Sequence, residues 1–435
     1  MITKIIKQIW NQRRMNGWIF IEIIIAGFFL WTVIDPMYVL MTNHFEPKGY
    51  EEDGRYVLQL GAYGQAHGKR DTTVTNEQRK EAFLRIVQMV KNQPEVDSYY
   101  ICLNRSLPNE GNYSGGKFYP DTTSIAEKKY VSSQHFIFFA DAEGDMFRTL
   151  GIIDAYTGKE MRRASQEGMV YVSEQFALKM YGTTQAVGKK VYRGNKKVAE
   201  ICGVFKDMKT RDFKATEPLI IIPNSDIRSN DYMHTNTLIV FRLKEGVNFD
   251  RFYERFQKEV APHMNQANFY FKEIKSFAET RVELGTLMGV YNKFRLKGSL
   301  AVFTILCIFL GMVGTFWIRC NARRQEIGLM RSMGATETRV KRQFLAEAAL
   351  LVTAAFVFSL ILVVNFVIMA DGMAQQSVTG EFQFALVSSW LSPGVQFTMV
   401  SLITYLALLV IALVGTLIPV RRAVKVLPAD ALRDE

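Results

Sequence analysis

Apolar positions along this sequence gather into four stretches. Trp18–Leu40 is apolar apart from Glu22, Thr32 and Asp35; Leu300–Ile318 is nineteen residues without a charge; Phe344–Ala370 carries the single charge of Glu347; Val395–Ile418 carries none. A helix rises about 1.5 Å per residue and needs roughly 20 apolar residues to cross a hydrocarbon core of about 30 Å, so each stretch is long enough to span a bilayer. The pattern predicts an α-helical membrane protein with four transmembrane helices, at 18–40, 296–318, 344–370 and 395–418, and a large α+β extracytoplasmic domain, 41–295, between the first and second. Ahead of the first span, Ile2, Ile5, Ile6, Ile9 and Trp10 recur at helical spacing opposite Lys4, Lys7 and Gln8, which predicts an amphipathic helix within 1–17 lying on the inner leaflet.

Within 41–295 the period changes. Arg55–Leu60 alternates like a strand, a Thr75-Asn76-Glu77-Gln78 capping box starts a helix with Phe83, Ile86, Val87 and Val90 on one face, and Asp97–Leu103 reads as a second strand. The order recurs near the end: strand Thr237–Leu243, a helix after Asn248 with Phe249, Phe252, Tyr253 and Phe256 in register, then strand Asn268–Ile274. Two β-α-β halves thus flank an insertion of about 118–225, expected to form a second subdomain. Strands are expected there at Phe136–Phe139, Gly168–Val172, Lys189–Tyr192, Lys197–Val204 and between Pro218 and Pro223, with Ser173 capping a helix that ends before Gly182.

Charge fixes the orientation. The chain has 435 residues and a net charge of +11, which by itself suggests a polyanionic partner. Yet residues 1–17 carry four bases and no acid, 319–344 seven bases against two acids, and the tail 421–435 four bases against three acids; the connector 371–394 holds two acids and no base. By the positive-inside rule both termini and the 319–343 loop are cytoplasmic, and 41–295 and 371–394 lie outside. The excess of base is largely a record of topology, so no nucleic-acid partner is expected. The four cysteines give no disulfide framework, and whether Cys102 and Cys202 are bonded stays open.

Candidate chemistry is sparse. Gly111-Asn112-Tyr113-Ser114-Gly115-Gly116-Lys117 begins like a phosphate loop, but Phe118 stands where a Mg²⁺-binding hydroxyl is required, so no nucleotide hydrolysis is expected of this chain. His44, His67, His135, His234 and His263 are scattered without metal-ligand spacing, so no metal or cofactor is expected. Glu22 and Glu347 stand a few residues inside apolar runs and are expected to snorkel to the interface.

The most informative segment follows the second span: Arg323-Arg324-Gln325-Glu326-Ile327-Gly328-Leu329-Met330-Arg331-Ser332-Met333-Gly334-Ala335-Thr336. It reads as a short helix with an apolar edge of Ile327, Met330 and Met333 rimmed by Arg and Glu. Gly334 supplies a left-handed helix end and Thr336 caps the next helix. Such an elbow suits docking to a cytoplasmic partner.

Here the sequence resembles the FtsX-like permeases, whose elbow reads R-R-x-E-I-G-x-x-R-x-x-G-A. The tail resembles the family's ending, with Pro419-Val420-Arg421-Arg422-Ala423 followed by Leu427-Pro428-Ala429-Asp430-Ala431-Leu432-Arg433. Val170-Tyr171-Val172-Ser173-Glu174, Met180-Tyr181-Gly182, Val187-Gly188-Lys189 and Gly203-Val204-Phe205-Lys206-Asp207 are similar to the MacB-type periplasmic core. The resemblance implies the permease subunit of an ABC transporter in the bacterial inner membrane. It implies a separate cytoplasmic ABC ATPase, a second permease subunit making a homo- or heterodimer, and periplasmic or outer-membrane components as partners. Arg323, Arg324, Glu326, Ile327, Gly328, Arg331, Gly334 and Ala335 are the positions it assigns to ATPase coupling. Val290–Lys297 is expected to prolong the second helix outward as a stalk. The implied work is export of a peptide, drug or other amphiphile by mechanotransmission; release of lipoproteins, or a scaffold controlling cell-wall hydrolases, are the alternatives. MacB-type macrolide exporters usually carry an ATPase domain on the same chain, which this sequence lacks, so the expected ATPase is a separate protein.

Overall fold

The computed structural model describes residues 13–63, 70–110, 114–139, 144–161, 169–193, 196–224, 237–376 and 392–424. The expected interfacial helix at Ile2–Trp10, the Gly111–Tyr113 part of the glycine-rich segment, His67, His234, most of the 371–394 connector and the tail from 425 lie outside them. The chain divides into two units, Met1–Asn43 with Tyr291–Glu435, and His44–Val290.

After a long first helix, α1 (Arg13–Phe45), the His44–Val290 unit opens with β1 (Arg55–Ala62), α2 (Asn76–Lys91) and β2 (Val96–Leu103). The insertion follows as β3 (Ser114–Phe118), α3 (Thr122–Ala126), β4 (Val131–Phe139), α4 (Met146–Leu150), β5 (Met169–Ser173), α5 (Glu174–Tyr181), β6 (Lys190–Arg193), β7 (Lys196–Phe205) and β8 (Leu219–Asn224). The second half closes with β9 (Leu238–Leu243), α6 (Phe249–Glu259), β10 (Phe269–Ser276) and α7 (Phe277–Leu287).

The ten strands among the described residues make one sheet in the order β10-β1-β9-β2-β4-β8-β5-β7-β6, with β3 on β4. Each neighbouring pair among the first four is antiparallel, and each β-α-β half is split by a strand of the other, the arrangement of a ferredoxin-like unit. The insertion continues that sheet instead of starting another: β4 pairs antiparallel with β2, Cys102 opposite Phe138, and parallel with β8.

Period-2 alternation places the core on both sides of the sheet. Leu58, Ile101, Ile239 and Phe241 face α2 and α6, meeting Phe83, Ile86, Val87, Val90, Phe252 and Phe256. Their neighbours Val57, Cys102 and Val240 face the opposite way, toward Phe136, Phe147 and Tyr171. Local signals set the helix ends. Thr75 and Gln78 form the reciprocal capping box of α2, Asn248 caps α6, and Ser173 caps α5, which Gly182 ends in the left-handed region. Cys102 and Cys202 are free thiols; burial pushes both thiols above the ordinary cysteine range, Cys102 furthest.

The other unit holds α1, α8 (Val290–Ala322), α9 (Arg324–Ser332), α10 (Glu337–Gln376) and α11 (Pro393–Val424). Among the described residues, α1, α8, α10 and α11 are the four helices long and apolar enough to cross a membrane. At 33 residues α8 is about 50 Å long, well beyond a hydrocarbon core of about 30 Å, and it begins at Val290, where the stalk was expected. Ile19, Ile23, Ala26 and Leu30 of α1 pack on Met312 and Phe316 of α8, Val352 and Phe356 of α10, and Leu408 and Ala412 of α11. Gly27 lets α1 come close: a Cβ there would stand 2.6 Å from Ser359 Oγ of α10. Away from the elbow, Gln396 of α11 donates to buried Asp35 of α1 at 2.8 Å, and Trp31 donates to Ser401 at 3.3 Å.

Phe83→Ala in α2 is expected to cost about 3–5 kcal/mol, by loss of buried area and a residual cavity, read as a fall in unfolding temperature. Maleimide, which reacts with the thiolate, is expected to leave Cys102 unmodified until the protein is unfolded.

Candidate functional site

The elbow is built from the chain break between α8 and α10. Helix α8 stops at Ala322 and Arg323 leaves the helical region (φ −107, ψ 15), while its carbonyl already accepts from Ile327 N–H to start α9. Helix α9 ends in a double bond pattern, Ala335 N–H to the Met330 carbonyl at 3.0 Å and Gly334 N–H to the Arg331 carbonyl at 3.1 Å. Gly334 has φ +87, as the sequence requires of it, and Thr336 Oγ1 accepts from Arg339 N–H to cap α10. Arg331 bridges the turn, 3.5 Å from the Ala335 carbonyl and 3.8 Å from Glu337.

An apolar cluster holds the elbow against its neighbours: Ile327 meets Cys320 of α8, Val340 and Phe344 of α10, and Val420 and Val424 of α11, with Met330 and Ala335 at its margin. This corrects the expected docking edge. Ile327 and Gly328 are buried, because three helix ends converge on that face; the large apolar side chains turned outward are Leu329 of α9 (52% exposed) and Met333 just after it (71% exposed).

Beside this cluster lies a buried charge network. Glu347 of α10, 0% exposed, accepts through one oxygen, Oε2, from Arg319 Nη2 at 2.8 Å and Arg323 Nη1 at 2.6 Å. Arg323 also grips Glu326 with two bonds of 2.7 and 2.9 Å, and its guanidinium lies 4.4 Å from the Phe344 ring centroid. The expectation that Glu347 snorkels to the interface is therefore overturned: two arginines reach it, so its charge is neutralised where it stands. Burial works against the charge on Arg323, but its bonds to Glu326 and Glu347 hold its pKa above the ordinary arginine value. Arg324 is half-buried, and Glu326 is half-buried on the Arg323 side. Of the eight expected positions, Arg323, Ile327 and Gly328 lie inside the elbow, Glu326, Arg331, Gly334 and Ala335 shape it, and Arg324 stands at its rim. The sequence reading missed Arg319 and Glu347. The available signal was an acid inside one apolar run and a base at the end of another, which are cheapest to bury as a pair.

A second feature lies between the first two spans. A groove of about 760 Å³ is lined by Trp18, Ile25, Phe29, Phe303 and Cys307, and Glu22 is its one charged lining residue. The Glu22 carboxylate lies against Gly311, where a Cβ would come within 2.6 Å of its Oε1. Ser114–Phe118 of the glycine-rich segment is strand β3, paired with β4, and among the described residues no group of His, Cys, Asp and Glu could hold a metal.

The fold is that of an α-helical membrane protein with a large α+β domain between its first and second candidate spans. Residues 298–428 match the family model described as FtsX-like permease C-terminal, the part of the chain that contains the elbow. No curated protein matches the chain. Among solved structures it is similar to the periplasmic region of MacB from Actinobacillus actinomycetemcomitans, at 12% identity over 55% of this chain and 94% of that one, with a TM-score of 0.33. It is also similar to a domain of a permease protein from Porphyromonas gingivalis, at 14% identity over 53% and 92%, TM-score 0.34. A third is the extracellular domain of the ABC-type transporter YknZ from Gram-positive bacteria, at 10% identity over 50% and 100%, TM-score 0.29.

Gly334→Ala leaves room for the methyl group but keeps the left-handed backbone, so a loss of about 1 kcal/mol is expected, measurable as a lower unfolding temperature.

Proposed function

We propose that this chain is the membrane subunit of an ABC transporter, driven by a separate cytoplasmic ATPase that docks on the elbow. The observation that carries the reading is the elbow itself. Helix α9, inside the FtsX-like segment, is tied down by Ile327 and Arg323 and turns Leu329 and Met333 outward next to exposed Gln325 and Arg339. Two exposed apolar side chains beside polar and basic ones on a rigid turn fit the core and rim of a protein interface. The bases of 1–17 and 319–343 support a topology with the elbow and both termini in the cytoplasm of a bacterial inner membrane and 41–295 outside.

Motion received at α9 passes into α8, one continuous helix from Ala322 back to Val290, the last residue of the His44–Val290 unit. In this reading the chain works without catalysis of its own, as a homo- or heterodimer, and moves periplasmic or outer-membrane components that export a peptide, drug or other amphiphile. A second reading, release of acylated proteins, draws on the groove between the first two spans, whose volume and apolar walls suit an acyl chain. It predicts that an acylated peptide, and not its unacylated form, raises the ATPase rate of the complex.

Affinity purification from membranes tests the main reading. A Walker A ATPase is expected to co-purify, and Leu329→Asp with Met333→Asp, both at exposed positions, is expected to weaken its binding about tenfold or more without lowering the unfolding temperature. Folded protein recovered without any such ATPase overturns it.

A further inference from the structure

We propose that Glu347, from within the third span, is a positioning residue for the elbow: with Arg319 it latches α9 to α8 and α10 and so sets the direction in which the docking face points. This deepens the coupling reading above and rests on it for the identity of the docked partner, but not for the latch itself.

The apolar contacts around Ile327 hold α9 close, yet such contacts are non-directional and let a short helix roll or slide. Direction comes from Arg323, which sits at the first turn of α9 and is gripped on three sides. Glu326 takes one edge with two bonds, Glu347 takes the tip at 2.6 Å, and Phe344 covers a face. Arg–carboxylate bonds of this kind fix orientation as well as distance. Glu347 Oε2 is shared with Arg319 in the last turn of α8, so a single oxygen joins three helices. Glu347 Oε1 stands 3.5 Å from both Gln343 Nε2 and Arg323 Nη2, which keeps the carboxylate from turning away. The four charges cancel: two arginines against Glu326 and Glu347. Burying such a set is a weak source of stability compared with apolar packing of the same volume, whereas it specifies one arrangement strongly.

The stability and positioning roles separate in a double variant. Glu347→Gln alone leaves one buried arginine uncompensated and is expected to destabilise the fold. Glu347→Gln with Arg319→Gln removes one charge of each sign, leaves the Arg323–Glu326 pair neutral, and breaks the latch. In the full-length protein in lipid nanodiscs, hydrogen exchange of the α9 amides is expected to quicken about tenfold in this double variant while the unfolding temperature stays near that of the wild type. Affinity for the ATPase that co-purifies with the wild type is expected to fall about tenfold with it. Glu347→Asp, which keeps the charge one methylene shorter, is expected to restore most of both. A stable double variant with wild-type exchange in α9 and wild-type affinity overturns the latch. Faster exchange in the double variant, with no ATPase recovered even on the wild type, upholds the latch and overturns the coupling reading instead.

Discussion

A carboxylate in an apolar helix must find positive charge where it stands or lose its own. Glu347 meets that constraint by drawing Arg319 and Arg323 to one oxygen, and the architecture of the elbow follows. Helix α8 must end where Arg319 can turn inward, the break at Arg323 must lie within reach of α10, and α9 must leave with Glu326 on the free edge of the same guanidinium. The apolar residues Ile327, Val340, Phe344 and Val420 then close over the network and exclude water from it. Removing one partner from such a set costs roughly 3–5 kcal/mol, because the remaining charge has no escape.

The same economy of contacts shapes both units. In the bundle, apolar matching alone does not select one arrangement, since lipid tails are as apolar as leucine. Selection comes from close approach at Gly27 and from a few polar bonds, Gln396 to Asp35 and Trp31 to Ser401 away from the elbow, the Glu347 network at it. In the His44–Val290 unit the selecting device is sheet register. Antiparallel pairing of β1 with β9 and β10 interleaves the two β-α-β halves, and the β2–β4 pairing extends the sheet through the insertion. A single sheet with cores on both faces makes the insertion continuous with the rest of the unit.

Most of the fold was legible in the sequence, because the signals involved are local or periodic. The four spans follow from apolar length, the cap of α2 from Thr75 and Gln78, the end of α9 from Gly334, and the opposed faces of β1 from the alternation of Val57 and Leu58. The elbow, too, was visible as a motif, and its residues do lie on one short helix between two capped turns. Its orientation was not visible. Ile327, Met330 and Met333 share an apolar edge on any helical wheel, and only the approach of α8, α10 and α11 determines that Ile327 is covered while Met333 is left open.

By itself, then, the sequence determined the number of spans, much of the element order and the position of the elbow, since hydropathy and capping act over a few residues at a time. The tertiary structure decided which charges are partners and which apolar side chains face outward. Arg319 and Glu347 lie 28 residues apart and meet only when α8 and α10 pack. That distance explains why Glu347 reads from sequence as a charge seeking the membrane surface, and in the folded chain is the point on which three helices close.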